Sequence, residues 1–148
     1  MFTIRSATIG DALALAPRLR SADVRELAAV SDQRPCEALL DGLSLSTFSD
    51  AVVDHRDVPV AIFGVTPFHD RGLPWLVGTD VIKSDARAFL RISPAIVRKM
   101  RETGPLLGYV HAANLSHIRW IAWSGFTLAD APEFIGSAQA PFIPFWKN

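Results

Sequence analysis

The 148-residue chain has 15 basic and 15 acidic residues and no formal net charge, so it lacks the excess positive charge that a nucleic-acid binder concentrates on one face. Hydrophobic residues make up 49% and charged residues 20%, a balance that argues against disorder and suits one compact domain over residues 1–148. A single cysteine, Cys36, rules out an internal disulfide and a cysteine-rich zinc site, and it reads as a buried, inert thiol. No run approaches the ~18 apolar residues of a membrane span. The opening MFTIRSATIGD has no basic-then-apolar signal pattern. The expectation is a soluble protein in a reducing cytoplasm, with neither nucleic acid nor membrane as a partner.

The alternation in Thr3–Thr8 predicts a short strand. Asp11 is the best-placed cap for a helix over Ala12–Leu19, with Pro17 disturbing its second turn. Ser21-Ala22-Asp23 precedes a second helix, Val24–Val30, with Leu27 inward and Arg25 and Glu26 outward. Cys36–Leu45 reads as a third. The period then changes to that of strands. Asp50–Asp54 and Val58–Val65 read as a hairpin across His55-Arg56-Asp57, and Val60–Val65 is apolar enough for a central strand. Gly72 and Pro74 predict a loop over Pro67–Pro74, followed by a strand from Trp75 to Val81. Asp85–Glu102 is the longest helical stretch, with a kink or delayed start expected at Pro94 and a clean end at Thr103-Gly104-Pro105. Leu106–Ala112 predicts a strand, Asn114–Ser124 a helix and Phe126–Leu128 a strand. The aromatic tail, about residues 132–148, either packs over the sheet or offers Phe142, Phe145 and Trp146 to a partner. The sum is one α+β domain with a mixed central sheet flanked by helices.

This order of elements resembles the GNAT acetyltransferase superfamily, the acyl-CoA N-acyltransferase-like fold. In that family an asparagine commonly ends the fifth strand, with Gly-Phe following a helix. Here Asn114 is followed eleven and twelve residues later by Gly125 and Phe126. Physics alone also accounts for the three: a helix cap, a left-handed C-terminal residue, and a ring packed on the last turn. The resemblance implies an acetyl-CoA site with Asn114 beside it and a glycine turn for the pyrophosphate before the long helix. The glycine pattern is not met. Arg87-Ala88-Phe89-Leu90-Arg91-Ile92 has leucine and isoleucine where glycines belong, and starting at Arg91 puts Pro94 there. Arg87 and Arg91 remain as direct phosphate ligands if acyl-CoA binds. Many family members carry a tyrosine seven residues after the asparagine, as the acid for the departing thiolate. That position is Ile121, and the only tyrosine is Tyr109.

The remaining polar candidates are Asp80, at a strand end where a base can sit, and His117, in the first turn after Asn114. An imidazole gives and takes protons near neutral pH, but no carboxylate partner for His117 is identifiable in the sequence. Nothing has metal-ligand spacing, so no metal is expected. Trp120 and Trp123 share one helical face and read as core or interface anchors.

Three longer strings are similar to a narrower group: RSATIGDALALAPRLRSADVREL, PVAIFGVTP with PWLVGTD, and LLGYVHAANLSHIRWIAWSGF. They resemble a family of tailed-bacteriophage, mainly podophage, proteins labelled internal virion protein or GNAT-like protein. That resemblance spans about Ile4 to Phe145. It implies a GNAT-like fold made with the morphogenesis genes, present in the host cytoplasm during synthesis and in or beside the virion. Two readings follow. In the first, the protein is a catalytically degenerate phage accessory protein that needs no cofactor, works through contacts with phage structural proteins or itself, and uses the aromatic groups named above. In the alternative, it is an N-acetyltransferase that takes acetyl-CoA and a small amine or a host protein.

Overall fold

The computed structural model describes residues 1–148. In chain order it builds β1 (Thr3–Ser6), α1 (Ile9–Leu15), α2 (Ser21–Val30), α3 (Pro35–Leu45), β2 (Phe48–Val53), β3 (Pro59–Phe68) and β4 (Arg71–Gly78). The second half adds the single turn α4 (Val81–Ser84), α5 (Ala86–Arg101), β5 (Leu106–His111), α6 (Leu115–Trp123), β6 (Thr127–Leu128), β7 (Glu133–Ile135) and β8 (Ala140–Lys147). The strands form one mixed sheet in the order β1-β2-β3-β4-β5-β8-β6, with β7 also paired to β8. Only β4 and β5 run parallel.

Two apolar layers hold helices to the sheet. On one face Ala12 and Leu15 of α1 and Leu39 of α3 pack on Ala51, Ile62 and Val77. On the other, Phe89, Ile96 and Met100 of α5 and Ile121 of α6 cover Phe63, Leu76, Leu106 and Val110. Ile96 and Ile121 are fully buried, and each contributes about 1.5–3 kcal/mol of burial free energy.

The structure departs from the sequence expectation at four places. α1 begins at Ile9 because Thr8, not Asp11, is its cap: the Asp11 N–H donates to Thr8 Oγ1 and the Thr8 N–H donates back to Asp11 Oδ2. Residues 67–74 are not a loop, since β3 runs to Phe68 and β4 starts at Arg71. Pro74 is tolerated because its partner Val65 is a non-hydrogen-bonded pair, so the ladder toward β3 loses no donor. Gly72 is required, since a Cβ there would lie 2.4 Å from Val65 Cγ1. α5 passes through Pro94 without ending, and just before it the Ser93 hydroxyl donates to the Phe89 carbonyl at 2.7 Å. Finally, the aromatic tail is β8, an internal strand between β5 and β6. Phe142 and Phe145 are 1% and 5% exposed and belong to the core, while Trp146 is half-buried, so the tail packs as part of the sheet.

Candidate active site at the β4–β5 split

β4 and β5 make a single rung, Gly72 with Leu106, where the Gly72 N–H donates to the Pro105 carbonyl at 2.9 Å. The next parallel rung needs an N–H at residue 74, and proline has none. The two strands therefore part. On β4 the Thr79 N–H donates to Val60, so alternation turns the Val77 and Trp75 N–H groups toward β3. Gly78 and Leu76 then point theirs into the split.

α2 supplies side chains where strand pairing fails. The Gly78 N–H donates to Asp23 Oδ2 at 2.9 Å, and across the gap the His111 N–H donates to Glu26 Oε1 at 2.7 Å. Asp23 is 1% exposed, and its charge is met by Arg20, whose Nη2 lies 2.9 Å from Oδ2. Glu26 has no such partner. Its Oε2 lies 3.9 Å from Nδ1 of His117 on α6. His117 is buried, and that Nδ1 has no hydrogen-bond partner. An unmatched buried polar atom costs about 1–3 kcal/mol, which marks this pair as a place where a structural role does not explain the side chain.

Asn114 follows β5 and holds the N-cap position of α6, but its side chain does not cap the helix. Its Nδ2 lies 3.4 Å from both Asp23 Oδ1 and Glu26 Oε1, orienting the two carboxylates. Helical period in the sequence turns Glu26 outward and gives His117 no carboxylate. The fold reverses both, because α2 lies over the end of β5 and not over solvent. The available signal is the three-residue spacing of Asp23 and Glu26, which puts two carboxylates on one helical face.

Two cavities meet at Leu76, His117 and Trp120. The first, about 240 Å³, reaches through the split and has Glu26, Tyr109 and Trp75 in its wall. The second, about 230 Å³, lies between the start of α5 and α6 and collects Arg20, Lys83 and Arg119 beside Phe89 and Trp123. Lys83 and Arg119 make no ion pair, so this cavity has two uncompensated cations. Arg87 and Arg91, expected as phosphate ligands, are exposed on α5 and line neither cavity. Asp80 is exposed at the start of α4, where its carbonyl accepts the Lys83 and Ser84 N–H groups, which removes it from the centre of the sheet. Trp120 is half-buried, and its Nε1–H donates to Ser93 Oγ at 2.9 Å. Trp123 is 56% exposed. Cys36 is partly buried against the α1–α3 layer.

Neither a family model nor a curated protein matches the sequence. Solved structures do match the fold over nearly its whole length. Ard1 from Thermoplasma volcanium aligns with a TM-score of 0.71 at 14% identity, covering 99% of this chain and 96% of that one. Spermidine N-acetyltransferase from Vibrio cholerae, in complex with CoA and spermine, aligns at 0.70 and 11% identity, covering 99% and 94%. A GNAT phosphinothricin acetyltransferase from Sinorhizobium meliloti, in complex with AcCoA, aligns at 0.67 and 11% identity, covering 99% and 87%. This is the GNAT acetyltransferase fold. The phage identity read from the three longer strings finds no support among these likenesses.

The GNAT frame gives the two departures seen in the sequence a physical setting. Ile121 is fully buried between α6 and the sheet, so no acid stands at that position. His117 sits one turn earlier on the same face of α6, and both residues line the cavity through the split. The segment after β4 lacks glycines, but it folds as α4 and the start of α5 with Lys83 and Ala86 at the wall of the basic cavity. The start of α5 brings the positive end of its helix dipole to the same wall. The residues present fit a diphosphate-bearing acyl donor.

Proposed function

We propose that the protein is an acetyl-CoA-dependent N-acetyltransferase acting on an amine. The observation that carries this is the buried, unpartnered His117 Nδ1 facing Glu26 Oε2 at 3.9 Å inside the split. Lys83 and Arg119 hold the donor's phosphates, with the start of α5 beside them. Acetyl-CoA supplies an acyl group whose C–S bond breaks as the N–C bond forms. The Leu76 N–H, turned into the split, donates to the acyl oxygen as charge develops there. Glu26 takes a proton from the incoming ammonium and leaves a nucleophilic amine. His117 gives a proton to the departing sulfur, the task assigned elsewhere in the family to a tyrosine. The second proton that the nitrogen sheds as the N–C bond forms restores it, and the proton on Glu26 passes to solvent. Asn114 keeps Glu26 aimed.

Calorimetry with acetyl-CoA tests the reading directly. At ~100 times its dissociation constant, the ligand should stabilise the protein by about 2.7 kcal/mol, a rise in Tm of roughly 5–11 °C. Glu26→Gln and His117→Gln should each lower kcat/KM by about 10²–10⁴-fold while acetyl-CoA still binds. Absence of binding at millimolar acetyl-CoA would overturn the proposal.

The podophage resemblance of the sequence adds a setting, a phage-infected cell with phage structural proteins or a second copy of the chain as partners. Two apolar groups favour such contacts, Leu115 and Trp123 of α6, which are 59% and 56% exposed. Mass spectrometry of purified particles should then find the chain at fixed copy number, and its absence there removes the virion role.

A further inference from the structure

We propose that the acceptor is a small primary monoamine carried on an apolar body, an inference that rests on the acetyltransferase reading above. The charge available in the cavity through the split sets the number of cations it accepts. Glu26 is the only carboxylate in its wall, and no lysine or arginine lines it. One Glu26 oxygen is taken by the His111 N–H and the Asn114 amide, while Oε2 has only the imidazole at 3.9 Å. Asp23 offers no second site, because Arg20 and the Gly78 N–H already occupy it. The cavity therefore has one free carboxylate oxygen, which matches one ammonium. A second ammonium would be buried without a counter-charge.

The rest of the wall on this face fixes the body of the substrate. Leu27 and Val30 of α2, Leu39 of α3, Trp75 of β4 and Tyr109 of β5 present hydrocarbon and aromatic rings. A cavity of about 240 Å³ with this lining suits a phenyl or branched-alkyl group beside the amine. Val30, 50% exposed, stands at the rim.

The experiment follows thiol release from acetyl-CoA by the full-length protein. The panel is 2-phenylethylamine, isoamylamine, spermidine and an alanine-initiated peptide, and acetyl-CoA binding is measured separately by calorimetry. The monoamines should exceed spermidine and the peptide in kcat/KM by at least about tenfold. Glu26→Gln should lower monoamine turnover by about 10²-fold with acetyl-CoA binding retained. Val30→Glu adds a carboxylate at a half-exposed position that tolerates it, and should move the ratio toward spermidine. Spermidine or the peptide as the better substrate overturns the inference. So does acetyl-CoA binding without turnover of either monoamine, an outcome that leaves the acetyltransferase fold's donor site standing. No acetyl-CoA binding removes both proposals.

Discussion

Asp23→Ala removes the residue that ties α2 to the end of β4, and its cost follows from the two groups it leaves unpaired. The Gly78 N–H is deprived of an acceptor at 2.9 Å and the Arg20 guanidinium of a two-oxygen partner. An orphaned buried amide alone costs about 1–3 kcal/mol. Breaking one side of a buried ion pair costs about 3–5 kcal/mol, because the remaining charge stays desolvated. The Arg20 side chain is 11% exposed, so it can swing partly to water, and the lower end applies. The expected destabilisation is about 3 kcal/mol, which lowers Tm by roughly 6–12 °C in a chain of this length. Urea unfolding followed by tryptophan fluorescence and far-UV circular dichroism measures it, with an unchanged m-value showing that the unfolded state is not responsible. Arg20→Met combined with Asp23→Asn leaves an acceptor for Gly78 and no unpaired charge, and should recover more than half of the stability. A change below about 1 kcal/mol for Asp23→Ala would refute the view that this carboxylate substitutes for strand pairing.

Ser93→Ala deprives the Trp120 Nε1–H of its 2.9 Å acceptor between α5 and α6 and should cost about 1–3 kcal/mol, with a shift in tryptophan emission; unchanged stability would show that the indole finds water instead. Gly108→Ala places a Cβ 2.4 Å from Phe145 Cζ, so repacking β5 against β8 should cost about 1–3 kcal/mol in chemical denaturation. At acid pH, Asp11 is the group to watch. Its carboxyl is held below its ordinary value by the Arg5 guanidinium, which donates to both oxygens, with the Thr8 N–H adding to this. A carboxyl depressed in the fold contributes stability above its unfolded pKa, about 4, and that contribution is lost as pH falls through the folded value. Stability should therefore fall from about pH 4 downward, and Asp11→Asn should have a flatter acid limb; equal slopes for the two proteins would refute this.

The strands and long helices could be read from the sequence because each buries a face whose period is fixed by its own backbone. Val60–Val65 reads as a central strand, and α5 shows its core row at Phe89, Ile96 and Met100. What misled was the punctuation. Gly72 and Pro74 read as loop residues, although both serve β4: the glycine makes room for Val65, and the proline withholds the donor that would have closed the sheet. Whether a proline breaks a strand depends on which edge its missing N–H faces, and that depends on register, which local sequence does not carry. The same limit applies to the site. Glu26 and His117 are 91 positions apart, and nothing near either residue announces the other. Only the path of α2 across the end of β5 brings them to 3.9 Å.

Ile121 shows why a missing residue at a fixed spacing is weak evidence for lost chemistry. Acyl transfer from a thioester needs a proton donor at a point in space beside the sulfur, and a helix offers several backbone positions from which such a point can be reached. Residues four apart lie on one face of a helix, about 5–6 Å from each other. On α6 those positions are His117 and Ile121, and both line the cavity through the split. The isoleucine completes the core under the helix, fully buried against the sheet. The histidine, one turn nearer Asn114, has the free nitrogen and the carboxylate. In a purely structural role the buried imidazole is a poor choice, since a leucine or methionine there fills the space without an unmatched polar atom. Its presence beside Glu26 weighs more for function than the absent tyrosine weighs against it.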